Sequence, residues 1–342
     1  MIDCTNHSNI FFIQEHLVRG ALFHGGIGNQ DAEQVMLDAG YRPLRLGDEY
    51  NFSPLAKLRR YRAARKVLAG LPKGATVVFQ WPLYARLHRM LIEQLVRRRP
   101  DVEIICFLTD LNSIKDGDAK ALADEKRFFA PLHSFIAHNE AMCRQFMKDR
   151  ENARCTTIEF FDFLTPPVPA QRSLSPALCF AGALDKSGFL ARCSEFPALH
   201  FHLYGPGRER FAELANSTYH GIFSPHSLPP ELSGSFGLVW DGDSPNALEG
   251  MLGNYSKFIS PHKLSLYILA GLPIICHEES AAAELVLRYG IGFTVRGLGE
   301  IGEKIARIDD AGYRQMRTKQ EPLAARISTG ACLRSALAAL RG

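Results

Sequence analysis

The sequence predicts an α/β protein made of two parallel-sheet domains. Its 342 residues exceed the roughly 250–300 at which one hydrophobic core stops growing. In both halves, short apolar runs alternate with helical patterns, which is typical of strands joined by crossover helices. Between the halves, TPPVPAQRSLSP at 165–176 contains four prolines and no apolar period. We therefore expect an N-terminal domain over 1–168 and a C-terminal domain over 177–342, joined by this linker.

Five strands and five helices are predicted in the first half. The predicted strands are Ala21–Phe23, Arg42–Leu46, Thr76–Gln80, Glu103–Leu108 and His133–Ala137. The predicted helices are Asp31–Ala39, with Asp31 as its N-cap, then Pro54–Leu68, Tyr84–Arg98, Lys120–Phe129 and Glu140–Lys148.

The alternation restarts after the linker. The predicted strands are Ala177–Ala181, His200–Tyr204, Gly221–Phe223, Gly237–Trp240, Pro273–Cys276 and Gly292–Val295. The predicted helices are Pro261–Ala270, Ala281–Tyr289, Glu300–Arg307 and Cys332–Leu340, the last of which can pack back on the N-terminal domain. Ligands of such sheets bind beyond the carboxyl ends of the strands, so the cleft between the domains is the expected active site.

Composition indicates an ordinary globular protein. Hydrophobic residues are 46% and charged residues 22%, and the net charge of +4 gives no global signal for a polyanionic partner. The eight cysteines form no CxxC pair, which argues against a zinc site or a redox dithiol. Cys106 and Cys276 lie in apolar runs and are expected to be reduced core thiols of a cytoplasmic protein.

The sequence shows no targeting pattern and no apolar run near the ~18 residues that span a bilayer. We therefore expect a cytoplasmic protein that reaches a membrane only peripherally.

The segment Ser235–Ile275 carries the most chemical information. The strand pattern GLVW ends in Asp241 and Asp243, and Ser260-Pro-His262-Lys263 then opens a helix that Gly271 ends. A helix N-terminus attracts anions, whereas a lysine in the first turn works against the helix dipole. An anionic ligand is one reason for Lys263, and a solvated surface lysine is the alternative.

Two parts of this segment, SFGLVWDGDS and YSKFISPHKLSLYILAGLPII, resemble a bacterial glycosyltransferase family. That family contains β-1,6-galactofuranosyltransferases of polysaccharide assembly and glucosyltransferases that extend sugars on serine-rich adhesins. HGGIGNQDAEQVMLDAGYRPL, FLTDLNSIKDG and FAGALDKSGFL extend the likeness over most of the chain. Ala183, Thr109, Ile259 and Ser260 depart from the family pattern. The resemblance implies a GT-B fold, in which two Rossmann-like domains face a central cleft, and a nucleotide-sugar held by the C-terminal domain without a metal.

The resemblance suggests roles for residues that follow the predicted strands. Gly182 lets backbone approach a ligand, and Lys186 can reach a diphosphate. Tyr204 can stack on uracil while Gly205 clears the ring. Asp241 can bond ribose or sugar hydroxyls. A surface lysine, a plain strand-to-turn transition and an aspartate that bonds its own turn are the respective alternatives.

The loop His24–Asp31 is expected to face the acceptor. Gly25 and Gly26 would let a sugar approach the backbone, and Asn29 can hydrogen-bond it. GGIG is not GxGxxG, so nicotinamide binding is not favoured.

The transfer needs a base to take the proton of the acceptor hydroxyl. Asp110, at the end of a predicted strand, is the first candidate, and His24 and Asp31 are its rivals. The alternative for Asp110 is an N-cap of the following turn.

A basic segment covers residues 57–99. It contains twelve Lys and Arg residues but one acidic residue, Glu93, and its net charge is therefore +11. In its first helix, Leu55, Leu58, Val67 and Leu68 are expected to pack inward. The segment is either a solvated face or a contact for an anionic membrane surface. Nucleic acid is not expected, because aromatic residues are sparse there.

These expectations combine into a metal-independent, inverting glycosyltransferase without a cofactor. It would move galactofuranose or glucose from a UDP-sugar to a saccharide acceptor, lipid-linked or free, in cell-surface polysaccharide or glycan assembly. The alternatives are an inactive GT-B-like sugar-binding partner subunit and another nucleotide-sugar enzyme. The sequence leaves open the sugar, the acceptor, the linkage and whether the protein forms a homo-oligomer.

Overall fold

The computed structural model describes residues 9–17, 26–46, 53–168, 172–210 and 215–341. The chain divides into two compact units. The first contains residues 1–137, 146–158 and 333–342, and the second contains residues 138–145 and 159–332. Each unit is built on one six-stranded parallel sheet. The predicted α/β class with two parallel sheets is therefore confirmed.

The sheet of the first unit has the order β2-β1-β3-β4-β5-β6. Its strands are β1 (Ile10–Ile13), β2 (Arg42–Leu44), β3 (Thr76–Trp81), β4 (Glu103–Leu108), β5 (Ser134–Ala137) and β6 (Arg154–Thr157). The helices up to β6 are α1 (Ile27–Asp38), α2 (Pro54–Gly70), α3 (Arg86–Arg98), α4 (Asn112–Lys115), α5 (Ala119–Phe129) and α6 (Glu140–Met147). The strand order reverses between β1 and β3, which is where ligands of such sheets bind.

The central strands are buried on both faces. Val78 of β3 lies opposite Phe12 of β1 and Ile105 of β4, and all three side chains are buried. Parallel strands covered by helices on both faces read as continuous apolar runs, which explains why β3 and β4 are predictable.

Two predictions in the first unit need correction, and a third falls on residues outside the described ranges. The strand β1 is not among the predicted strands, and the predicted strand Ala21–Phe23 lies outside the described residues. The helix α1 begins one turn earlier than predicted, with Gly26 as N-cap, so Asp31 lies inside the helix, where it is 3% exposed.

The outward face of α2 also differs from the prediction. Leu55 and Leu58 do not pack inward but are exposed to solvent, and Val67 and Leu68 are only half-buried. Ala64 is the one buried residue of this helix. The helix therefore rests on the first unit through Ala64 and, in part, through Val67 and Leu68.

The sheet of the second unit has the order β12-β11-β10-β7-β8-β9, which reverses between β7 and β10. Its strands are β7 (Ala177–Ala181), β8 (His200–Tyr204), β9 (Ser217–Gly221), β10 (Phe236–Val239), β11 (Ile274–His277) and β12 (Gly292–Val295). The remaining helices are α7 (Gly250–Tyr255), α8 (Lys263–Leu269), α9 (Ala281–Tyr289), α10 (Ile301–Ala306), α11 (Asp310–Ser328) and α12 (Ala331–Arg341). Most of α12 belongs to the first unit.

One buried tyrosine fixes α8 on the second sheet. The Tyr267 hydroxyl accepts a hydrogen bond from the Ala181 amide at 2.9 Å and donates to the Leu238 carbonyl at 3.3 Å. A Cβ on Gly237 would lie 2.3 Å from the Tyr267 ring, so the close approach requires glycine. The Tyr267 side chain therefore attaches α8 to the strands β7 and β10.

The second unit shows smaller differences from the sequence prediction. The strand predicted at Gly221–Phe223 is β9, which ends at Gly221. The helix α8 begins at Lys263 because Pro261 and His262 form a turn, in which the Leu264 amide donates to the Pro261 carbonyl at 2.9 Å. Gly271 has a φ of +64°, which confirms its predicted left-handed conformation after the helix.

The seven cysteines in the described ranges are free thiols, and Cys106 and Cys276 are buried as predicted. Burial raises the pKa of Cys276 to about 12. Across the described part of the chain, no helix combines the length and apolar character needed to cross a bilayer.

Candidate functional site

Several predicted donor-site residues meet at the carboxyl edge of the second sheet. Gly182 directly follows β7, Gly205 directly follows β8, and Asp241 is the second residue after β10. These three strands are neighbours around the point where the strand order reverses. The sheet topology thus brings together residues that are far apart in sequence.

Lys263 extends to this edge from the first turn of α8. Its Nζ lies 2.9 Å from Asp241 Oδ1 and 3.3 Å from the Trp240 carbonyl oxygen. The same Nζ lies 4.5 Å from the centre of the Phe180 ring, which adds a cation–π contact. The side chain is 12% exposed, so Lys263 is not a solvated surface lysine but a fixed positive charge.

Backbone surrounds this charge closely. A Cβ on Gly182 would lie 3.9 Å from Lys263 Nζ. Gly205 has a φ of +125°, and a Cβ there would lie 1.9 Å from the Gly182 carbonyl oxygen. Only glycine fits at position 205, and the two turns consequently pack against each other beside the lysine.

Tyr204 lies one residue from this edge but points into the core of the unit. Its ring is 1% exposed and stacks on His220 at 4.6 Å with an interplanar angle of 5°. Its hydroxyl donates to the Glu231 carbonyl at 2.9 Å and accepts from the Ser233 amide at 2.8 Å. This packing does not present the ring to a uracil base.

Ser260 and His262 are also engaged inside the second unit. Ser260 is buried and accepts a hydrogen bond from Asn139 Nδ2 at 2.9 Å. The His262 ring lies 4.8 Å from the ring of Phe163. Burial lowers the pKa of His262 to about 4, so its imidazole is neutral at pH 7.

Lys186 is placed differently from Lys263. It is exposed and forms no ion pair within the described part of the chain. Its side chain therefore has the freedom to reach a ligand, whereas Lys263 is held in place by contacts within the protein.

The carboxyl edge of the first sheet carries a buried polar cluster that was not predicted. The backbone amides of Glu15, His16 and Leu17, which follow β1, donate to the carboxylate of Glu33 at 2.7–2.8 Å. Burial raises the pKa of Glu33, although these three hydrogen bonds oppose the shift.

Glu15 forms a second buried pair in this cluster. Its Oε1 lies 2.6 Å from His88 Nδ1 and 2.9 Å from the Ala85 amide nitrogen, which donates to it. Burial alone would raise the pKa of Glu15, but the contacts with His88 and Ala85 together lower it. The carboxylate of Glu15 is therefore ionised at neutral pH.

Asn29 connects this cluster to the end of β4. Its Nδ2 donates to Thr109 Oγ1 at 3.3 Å and lies 3.5 Å from His16 Nε2. Asp110, the residue after Thr109, forms an ion pair with Lys115 at 2.9 Å and is only partly buried. The first unit thus places Asn29 beside the residue that precedes Asp110.

The other predicted residues of the acceptor side are not grouped in the same way. His24 and Gly25 lie outside the described residues, and Gly26 is the N-cap of α1. Asp31 is buried inside α1. The missed residues carried one sequence signal: the apolar run Ile10–Ile13 is followed at once by Gln, Glu and His, as at the carboxyl end of a strand.

Within the described ranges, no group of three or more His, Cys, Asp or Glu side chains is arranged to hold a metal ion. At the carboxyl edge of the second sheet, Lys263 lies beside the glycine backbone, an arrangement suited to receive a phosphate-bearing ligand.

Solved structures share this two-unit architecture. One is the HepE protein of Anabaena bound to UDP and glucose, at 12% identity and a TM-score of 0.60, over 98% of this chain and 99% of that one. Another is the sucrose-phosphate synthase of Thermosynechococcus elongatus, at 14% identity and a TM-score of 0.65, over 97% and 98%. The fold is GT-B, and with the relatives below it defines the protein as a glycosyltransferase.

The N-terminal and C-terminal domain models of the glucosyltransferase 3-like family match residues 23–157 and 178–340. The chain belongs to this family. It is 27% identical over 279 residues to the β-1,6-galactofuranosyltransferase WbbI of Escherichia coli K12, covering 79% of this chain and 80% of that protein. It is 32% identical over 147 residues to glucosyltransferase 3 of Streptococcus gordonii, covering 43% and 42%. The predicted family is therefore confirmed.

Proposed function

We propose that this glycosyltransferase moves a hexose from a UDP-sugar to a saccharide acceptor in the assembly of a cell-surface polysaccharide or glycan. The observation that carries the proposal is the preorganised cation of Lys263 at the reversal point of the second sheet. Galactofuranose and glucose are the two proposed sugars, because relatives are named for each. The HepE structure, which has the same fold, is bound to UDP and glucose, and this supports UDP as the nucleotide.

In this proposal the donor binds at the second carboxyl edge. The Lys263 ammonium makes a charge-assisted contact with the diphosphate, and exposed Lys186 closes on it from the same side of the sheet. Asp241 orients Lys263 for the incoming donor and accepts hydrogen bonds from sugar or ribose hydroxyls once the diphosphate shares the lysine. The turn at Gly182 lets the ligand contact backbone.

The proposed reaction is a single displacement with inversion. The acceptor oxygen forms a bond to the anomeric carbon while the bond from that carbon to the diphosphate oxygen breaks. The electron pair leaves with UDP, and its growing charge is stabilised by the lysines, without a metal ion. A base takes the proton of the acceptor hydroxyl.

Asp110 is our first choice for this base. It follows β4, its carboxylate lies 2.9 Å from Lys115 Nζ, and its side chain is 30% exposed. Asp31 is a weaker choice because it is buried inside α1. His24 remains a rival on the sequence argument alone.

We further propose that the protein works at the cytoplasmic face of a membrane. An acceptor built on a lipid carrier would be found there, and the basic segment at 57–99 provides attraction to anionic lipid.

Two alternatives remain for the same fold: an inactive sugar-binding subunit and a different nucleotide-sugar enzyme. Melting curves of the purified protein with UDP and with NAD test the nucleotide first. We expect UDP to raise the melting temperature and NAD to leave it unchanged; the reverse result would contradict the donor site.

A transfer assay then separates the enzyme from the subunit. UDP-galactofuranose and UDP-glucose are supplied with saccharide acceptors in the presence of EDTA, and the anomeric configuration of the product is read by NMR. Turnover that is lost in EDTA and restored by Mn²⁺ or Mg²⁺ would overturn the metal-independent mechanism. UDP binding without turnover on any acceptor would support the subunit.

A further inference from the structure

The surface helix α2 presents its largest apolar side chains to solvent. Leu55 is 68% exposed, Leu58 44% and Tyr61 49%. Their spacing of three residues places them along one side of the helix. The side that rests on the first unit is formed instead by small or half-buried residues such as Ala56, Ala63 and Ala64. The three largest apolar side chains of this helix therefore keep about half or more of their surface in contact with solvent.

The same outward face carries a dense positive charge. Helical spacing places Arg62 and Arg65 between and beside the apolar residues, with Arg59 and Lys66 along one border. In the described part of the chain, Lys57, Arg59, Arg62, Arg65 and Lys66 form no ion pair. The helix contains no acidic residue.

Two arginines in the rest of the basic segment are engaged in contacts within the protein. On α3, Arg89 forms a bidentate ion pair with Asp124. Arg99, which follows α3, pairs with Asp101 at 2.8 Å and donates to the carbonyls of Leu68 and Pro72. These two arginines join structural elements to one another, whereas α2 gathers five basic residues without an ion pair in the described part of the chain on a single helix.

We propose that α2 is an interfacial helix that docks on an anionic lipid bilayer and inserts Leu55, Leu58 and Tyr61 into its headgroup region. Apolar side chains would enter the lipid while the long Arg and Lys side chains extend to the phosphates. A second copy of the chain fits less well, because two α2 helices would bring like charges together. The inference extends the membrane contact proposed for the basic segment but does not depend on the transfer reaction.

Tryptophan fluorescence tests insertion directly. The two native tryptophans, Trp81 and Trp240, are buried, so a Leu58→Trp variant of the full chain adds a reporter in α2. We expect its emission to shift to the blue on vesicles of phosphatidylglycerol and phosphatidylcholine, and to be quenched by brominated lipids. Leu287→Trp, at an exposed leucine of α9, is the matched control and should show neither change.

Co-sedimentation with the same vesicles separates the apolar from the charged contribution. The triple variant Leu55→Ser, Leu58→Ser, Tyr61→Ser should weaken binding at least about tenfold at constant charge, whereas Leu287→Ser should not. Removing two charges from α2 with Arg62→Gln and Arg65→Gln should weaken binding more than Arg97→Gln and Arg98→Gln on α3.

Each failure has a distinct meaning. Salt-released binding without a blue shift would overturn insertion but keep an electrostatic contact of the basic segment. Absence of binding to anionic vesicles would overturn both. A dimer in sedimentation velocity that becomes monomeric with the three serine substitutions, without vesicle binding, would assign the face to a second copy of the chain. None of these results bears on UDP binding, which is measured separately.

Discussion

The carboxyl edges of the two sheets occupy equivalent places in similar folds, yet their chemistry is opposite. The edge of the first sheet is rich in ionisable groups, with Glu15, Glu33 and His88 buried together. The edge of the second combines glycine turns with one strongly held lysine, Lys263. The first arrangement is suited to handling protons and the second to admitting a large anionic ligand. One architecture, used twice, thus presents two different chemistries at the same topological edge, and the roles that we propose for the base and for the donor site use that difference.

The largest expected effect is on turnover, when the proposed base Asp110 in the first unit is replaced. Asp110→Asn keeps the size and polarity of the side chain but cannot accept a proton. We expect turnover to fall by about 10²–10⁴ while UDP affinity changes little. Steady-state kinetics and a separate UDP titration measure the two quantities.

The matched control is Asp101→Asn. Asp101 is also ion-paired, with Arg99, but it precedes β4, whereas Asp110 follows it. An active Asp110→Asn enzyme, together with an inactive His24→Ala or Asp31→Asn enzyme, would move the base to one of those residues.

The next effect concerns the anionic ligand. Lys263→Ala removes a charge-assisted hydrogen bond and should weaken UDP binding by about 1.5–3 kcal/mol, roughly 10–150-fold. Isothermal titration calorimetry measures it. The control is Lys257→Ala, which breaks an exposed ion pair with Glu279 in the same unit. Equal UDP affinity in folded Lys263→Ala and wild-type protein would remove Lys263 from the site.

A pair of glycines distinguishes the two edges by stability. Gly205→Ala requires a side chain at a φ of +125° and a Cβ 1.9 Å from a carbonyl oxygen, so we expect a loss of about 1–3 kcal/mol or more in unfolding free energy. Gly26→Ala, at the first edge, meets no atom within 4 Å and has a φ of −70°. It should leave the denaturation midpoint nearly unchanged. Equal stability of the two variants would contradict the close packing of the turns beside Lys263.

The smallest effect is a pH dependence in the second unit. The pKa of His262 is lowered by burial from 6.5 to about 4, so the unfolded chain binds the proton more readily between these values. Its contribution to stability is therefore complete above about pH 6.5 and is lost as the pH falls toward 4. His262→Phe should flatten the slope of unfolding free energy against pH by up to about one proton in this window. An unchanged slope would show that the imidazole titrates normally.

Sequence reasoning succeeded where the signal is local. Strands such as β4 and β7 are continuous apolar runs, and the helix signals at Lys263 and Gly271 lie within one segment. Because parallel topology gathers strand ends at one edge, Gly182, Gly205 and Asp241 can be grouped from the order of the strand patterns alone.

Sequence reasoning failed where the burial and contacts of a side chain depend on residues far away in the sequence. The interpretation of Tyr204 as a stacking platform depended on exposure, but His220 and the backbone around Ser233 enclose its ring and hydroxyl. Glu33 accepts a hydrogen bond from the Glu15 amide, eighteen residues earlier in the sequence, and no periodic pattern predicts that contact. The solvent-facing leucines of α2 likewise follow from tertiary packing, since an apolar stripe on a helix is usually its buried side.

The three amides that point at Glu33 have a consequence for the division between the units. Successive backbone N–H groups aimed at one point form a concave nest, a shape with which proteins commonly bind phosphate. In the first unit, the chain fills this nest with its own carboxylate, so an incoming phosphate would meet an acidic group in its place. Glu33 thus acts as a built-in substitute for an external anion at the end of β1, and the nucleotide that we propose for the second unit would find no free nest there.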